Sequence, residues 1–163
     1  IYLAAERLRE SPRLKRVLLV ISDSADHRSR HDFGEISRRL RSFDVQVYAV
    51  VFEENSRFAY GELTRGGEPN LVARDASELD RAALQGLTLK TGGATHYPFS
   101  PNAFYLHAIY RQIALEVGRQ YTLGFYPAEA DGKWHELRVR LLGVDKKLTL
   151  TYRQGYQSPP AKR

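Results

Sequence analysis

The sequence predicts an α/β fold, a partial parallel sheet flanked by helices and followed by a C-terminal antiparallel three-stranded meander. Three observations carry that expectation. Two almost unbroken apolar runs, Val17-Leu18-Leu19-Val20-Ile21 and Val45 to Phe52, enclose one amphipathic stretch; such runs are typical of parallel strands covered on both faces. Helical periodicity continues to about residue 120. Beyond Gln120 the pattern switches to period two, the mark of antiparallel strands with one wet face. The chain therefore divides into an α/β portion over 1–120, a meander over 121–156, and a proline-rich basic tail over 157–163 that is expected to be disordered.

The elements follow in order. Ile1 to Arg9 reads as a helix with Ile1, Ala4, Ala5 and Leu8 on one face, stopped by Pro12. The first apolar run ends abruptly at the polar stretch Ser22-Asp23-Ser24-Ala25-Asp26. Asp32 and Glu35 have the spacing of a capping box, and Phe33, Ile36, Leu40 and Phe43 follow at helical intervals. Together with Val45 to Phe52 they make a βαβ unit. From Glu53 to Ala76 the periodicity weakens, and Leu71-Val72 is read as a short edge strand. Ser77 and Asp80 open a helix with Leu79, Ala83 and Leu87 on its buried face, and Gly92-Gly93 ends it. Ala94 to Phe99 is a short strand. Ser100-Pro101 reads as an N-cap and first-turn proline for the longest helix, whose stripe is Leu106, Ile109, Ile113 and Val117. In the meander, Tyr121, Leu123 and Phe125 alternate with their neighbours, as do Leu137, Val139 and Leu141, then Leu148, Leu150 and Tyr152. The turns fall at Asp131-Gly132 and Gly143 to Lys146.

Composition narrows the function classes. A chain of 163 residues without cysteine has no disulfide framework, thiol chemistry or cysteine-ligated zinc. No apolar run reaches the length of a membrane span. The net charge of +6 comes from arginines scattered among acidic residues, which favours a solvated surface over a nucleic-acid interface. With no methionine in the chain, Ile1 is not expected to be a translation start, and the three parallel strands are expected to be part of a larger sheet.

Ligands of open parallel sheets bind at the carboxyl ends of the strands. Asp23 stands there, directly after a buried strand, and a carboxylate suits a hard cation such as Mg²⁺. On spacing alone, Asp23 and Asp26 serve equally well as turn-forming and capping residues. His27 and His31, four apart, admit a transition-metal site, but the neighbouring Arg28 and Arg30 favour a solvated turn. Ser22, Ser24 and Ser29 lack a nucleophile elbow. Gly92-Gly93 closes a helix and so is no phosphate loop. Tyr121, Phe125, Tyr126, Trp134, Tyr152 and Tyr156 make the C-terminal region aromatic, which fills the seam between meander and sheet or supplies a protein-contact surface.

The order of these motifs carries a resemblance. Val17 to Asp23, then a helix, then Val45-Gln46-Val47-Tyr48-Ala49-Val50, and Leu89-Lys90-Thr91-Gly92-Gly93-Ala94, resemble the C-terminal half of a von Willebrand factor type A domain. Gln120 to Pro127, Asp131-Gly132-Lys133-Trp134 and Arg153-Gln154-Gly155-Tyr156 resemble the tail of bacterial VWFA-related proteins, frequent in acidobacteria. The resemblance implies a Rossmann-like sheet and a non-enzymatic, adhesion-type module that binds a protein partner. It implies a secreted, periplasmic or cell-envelope location. It also implies a role for Asp23 as one ligand of a metal-ion-dependent adhesion site. The family's aspartate and two serines on the first strand's loop have no counterpart after Ile1, and Ser24 stands where glycine is usual. This chain by itself is therefore expected to hold Mg²⁺ poorly. The competing reading is an open-sheet hydrolase or phosphotransferase using Asp23, which requires a second carboxylate such as Glu53 or Glu54 beside it. A purely structural remnant of the domain is the third.

Overall fold

The computed structural model describes residues 1–22, 30–52, 71–98, 102–143, 148 and 150–160, without the side chains of Arg41 and of residues 71–79. In chain order the elements are α1 (Tyr2–Arg9), β1 (Val17–Ser22), α2 (Phe33–Phe43), β2 (Gln46–Val51), α3 (Leu71–Lys90), β3 (Thr95–His96), α4 (Ala103–Gly118), β4 (Trp134–Glu136) and β5 (Gly155–Gln157). The fold is α/β: β1, β2 and β3 form a parallel sheet in that order, and β4 and β5 form a separate antiparallel pair.

β2 organises the core because it is central and apolar on both faces. Val47, Ala49 and Val51 point to one side, where Ala5 of α1, Ile36, Leu40 and Phe43 of α2, and Leu84 and Leu87 of α3 close over them. Tyr48 and Val50 point to the other, against Ile113 of α4, with Leu106, Ile109 and Val117 packed around. The expected stripes of α2 and α4 are thus the observed ones. Asp32 caps α2 by accepting a hydrogen bond from the Glu35 N–H at 2.6 Å. The Glu35 side chain does not return to Asp32 in a capping box. It meets His31 Nδ1 at 2.9 Å instead.

α3 ends where the two glycines require it to. Gly92 adopts φ 79°, and the Gly93 N–H bonds back to the Thr88 carbonyl at 2.9 Å. Gly93 itself lies so close to β2 that a Cβ would run into the Val47 carbonyl. Thr91 Oγ1 completes the junction by accepting from the Val47 N–H at 3.0 Å.

Several expectations are corrected. Leu71 and Val72 begin α3 and form no edge strand. The run Leu71-Val72-Ala73-Arg74-Asp75-Ala76 contains helix formers and no proline or glycine, so the helix starts ahead of Ser77 and Asp80. α4 is capped by Asn102, whose side chain accepts from the Tyr105 N–H at 3.1 Å; Ser100 and Pro101 lie outside the described residues. The face of α1 is Tyr2, Ala5 and Leu8, with Ile1 and Ala4 exposed. β1 is covered on one face only. Leu18 and Val20 meet the α2 side, whereas Leu19 and Ile21 are 39% and 54% exposed.

The described part of the C-terminal region holds two antiparallel strands, and among the described residues the three-stranded meander is not observed. β4 and β5 pair Trp134 with Gln157 and Glu136 with Gly155, and the Leu137 N–H adds a bond to the Gln154 carbonyl at 2.9 Å. That register is centred on the stretch Gly143 to Lys146 that the sequence marks as a turn. Residues 121–127 form no strand. Alternation shows which side chains share a face but does not provide a neighbouring strand to pair with. Within the expected tail, Gln157 belongs to β5 and Ser158 is buried, with Oγ donating to the Glu129 carbonyl. Residues 161–163 lie outside the described residues.

Candidate functional site

The carboxyl edge of the parallel sheet is the first place to look. β1 ends at Ser22, whose carbonyl accepts from the Phe52 N–H at 3.0 Å, and β3 ends at His96 opposite Val50. Asp23 follows Ser22 in the chain, but it lies with Asp26, His27, Glu53 and Glu54 outside the described residues. His31 is engaged locally. Its ring stacks on Tyr2 at 4.3 Å, and Nδ1 faces Glu35. His96 is the titratable group that the described part of this edge presents to the core. Its Nε2 is buried with no hydrogen-bond partner among the described residues. Burial pushes its pKa below the ordinary histidine range, opposed by the Glu116 carboxylate on α4.

The amino edge carries a polar network instead. Gln120 Nε2 donates to Gln46 Oε1 at 2.6 Å, and both amides lie 3.4 Å from the buried Tyr48 hydroxyl. Gln46 also donates to the Gly92 carbonyl. Burial, and then Glu116, raises the Tyr48 pKa. Lys15 Nζ reaches the carbonyls of Val117 and Gln120, and Arg153 donates to Asp44 at 2.7 Å. Nearly every partner here is a backbone carbonyl or another side chain of the network, so this edge joins elements together.

Two surface features remain. Along the outer side of α4 runs an open concavity of ≈ 590 Å³ lined by Phe104, His107, Ala108, Arg111, Leu115 and neighbouring residues. Beyond α4, Tyr121 and Tyr126 are 91% and 100% exposed, and Leu123 is exposed with them. The aromatic residues thus divide. Phe125 packs edge-on against Tyr156 at 4.9 Å, and His135 stacks on Tyr156. Tyr121 and Tyr126 face solvent.

Among the described residues, one group brings three metal-ligating side chains together. Ligand atoms of Glu129, Asp131 and His135 lie within 4.8 Å of one another. From the sequence, Asp131-Gly132 reads as a turn, and the turn pattern does not join it to Glu129 and His135. The available signal was a histidine four residues after an aspartate, with a glutamate two residues before it.

Comparison with known proteins finds no matching family model, no matching curated protein and no matching solved structure. No helix among the described residues is long and apolar enough to cross a membrane.

Proposed function

We propose that this chain is a non-enzymatic protein-interaction module whose contact surface includes the exposed aromatic segment after α4. The observation that carries the proposal is the exposure of Tyr121, Leu123 and Tyr126, close together in the segment that follows α4. Monomeric proteins rarely leave large contiguous apolar surface uncovered, and aromatic side chains dominate interface hot spots. The parallel sheet with helices on both faces agrees with the von Willebrand factor type A resemblance, which implies an adhesion-type role and a secreted or envelope location. In that reading Asp23 gives one carboxylate to a Mg²⁺ ion. A single carboxylate does not hold Mg²⁺, so metal-dependent recognition needs ligands beyond Asp23. The antiparallel pair extends to a three-stranded meander if residues 121–126 add to it when a partner binds.

Site-specific photo-crosslinking in cells that naturally produce the protein tests the interaction. Benzoylphenylalanine at Tyr126 or Leu123 should give a discrete adduct with another protein, and the same probe at the exposed Lys133 should not. Absence of an adduct at both positions, or equal labelling from Lys133, would sink the proposal.

A further inference from the structure

We propose that Glu129, Asp131 and His135 form a binding site for a divalent transition-metal ion, with one nitrogen and two oxygen ligands. His135 Nε2 and Asp131 Oδ1 are 2.9 Å apart. Ligand bonds of about 2.0–2.2 Å separate adjacent octahedral positions by roughly 3 Å and opposite ones by roughly 4 Å. The observed 2.9 Å matches adjacent positions. All three ligand atoms lie within 4.8 Å of one another, so a small rotation of the exposed Glu129 side chain closes the set around an ion. Without an ion the same contact is a hydrogen bond, so the groups are already positioned when the ion arrives. The imidazole among the ligands selects zinc, cobalt or nickel over Mg²⁺, which prefers oxygen alone.

Features outside the ligand set hold it in place. The His135 ring is stacked on Tyr156 of β5 at 5.4 Å with 21° between planes, which fixes the direction of Nε2. Ser158 is 2% exposed. Its Oγ accepts from the Asp131 N–H at 3.3 Å and donates to the Glu129 carbonyl, fastening the turn that carries both carboxylates to the end of β5. Such outer partners orient first ligands in known metal sites. Lys133 Nζ, 3.7 Å from Asp131 Oδ2, is the competing cation, but its side chain is 79% exposed and free to swing away. Three protein ligands leave coordination positions for water or for a side chain from outside the chain.

Isothermal titration of the chelator-treated protein with Zn²⁺, Mn²⁺ and Mg²⁺ tests the site, with visible absorption of the Co²⁺ form as a second readout. One equivalent of Zn²⁺ should bind, with Mg²⁺ at least tenfold weaker. His135→Phe keeps a ring for Tyr156 but removes the nitrogen, and it should weaken Zn²⁺ binding at least tenfold, as should Asp131→Asn. Glu129→Gln lies on the exposed edge of the turn and leaves the fold intact, so it covers the case in which the other variants do not fold. Asp23→Ala and His31→Ala should leave binding unchanged, which separates this site from the adhesion-type reading. Absence of Zn²⁺ binding, or binding that survives both His135→Phe and Glu129→Gln, would overturn the assignment.

Discussion

Leu40→Ala tests the layered packing on which every functional statement above depends. Leu40 is 1% exposed and lies between α2 and the sheet, in the cluster that contains Ala5, Phe43, Val47 and Ala49. Truncation removes three buried carbon groups, worth about 2.4 kcal/mol at roughly 0.8 kcal/mol each. The backbone of β2 is bonded to strands on both sides and cannot collapse into the space, so a residual cavity adds about 1 kcal/mol. The expected loss is therefore about 3–3.5 kcal/mol. For a chain of this size that lowers the melting temperature by roughly 7–12 °C. Urea unfolding followed by far-ultraviolet circular dichroism reads the loss directly, with the m-value unchanged. Leu115→Ala, on the outer side of α4, is the comparison and should stay within about 0.5 kcal/mol. A Leu40→Ala cost below about 1 kcal/mol, or equal costs for the two variants, would refute the packing of α2 on β2.

Other consequences are smaller or more local. His96 is held neutral by burial, so its contribution to stability is complete above the unfolded histidine value of about 6.5. As the pH falls below that, the unfolded chain binds the proton first and stability drops until the lower folded value is passed. His96→Gln should flatten this part of the urea-stability curve, and an unchanged slope would contradict it. Asp32→Ala removes the cap of α2 and should cost about 1 kcal/mol in the same assay. Gly93→Ala drives a methyl group against the Val47 carbonyl and should destabilise the protein by at least as much as the loss of Leu40, or prevent accumulation altogether. For the chelator-treated protein, thermal melts with and without Mg²⁺ should be indistinguishable, as should those of Asp23→Ala. A Mg²⁺-dependent rise that Asp23→Ala abolishes would mean the chain supplies more ligands than the one expected.

How far the sequence could be read followed from which forces act locally. The N-cap and buried stripe of α2 are legible because Asp32, Ile36, Leu40 and Phe43 combine a cap with a helical stripe within one short segment, whereas the reciprocal half of the capping box is lost to the contact of Glu35 with His31. The apolar run Val45 to Phe52 announced a buried strand for the same reason. The exposure of Leu19 and Ile21 is not legible, since it depends on which distant elements pack over that face, and nothing in the β1 residues records that. Residues 121–126 show the limit of periodicity most clearly. Tyr121, Leu123 and Phe125 alternate as a strand would, yet pairing depends on a neighbour that their own sequence does not specify. The metal group was hidden for a further reason. Asp131 read as a turn former, and only the pairing of β4 with β5 places Tyr156 and Ser158 so as to fix His135 and the turn.

The two ends of the sheet assign different work to the two candidate surfaces. Gln120 bonds to Gln46, Arg153 to Asp44, and the backbone at Tyr152 and Arg153 lies against Gly92, so the C-terminal region is fastened at the amino edge. Asp23 follows Ser22, at the opposite edge. Six residues of β2 separate these edges, about 20 Å at roughly 3.3 Å per residue. Contact through Tyr121, Leu123 and Tyr126 and metal-dependent contact at the carboxyl edge can be told apart, because each is sensitive to its own perturbation. Tyr126→Ser should abolish the crosslink made from Leu123 whether or not EDTA is present. If EDTA alone abolishes that crosslink, the aromatic segment depends on a bound metal. Glu129→Gln then decides whether that metal belongs to the hairpin or to the carboxyl edge.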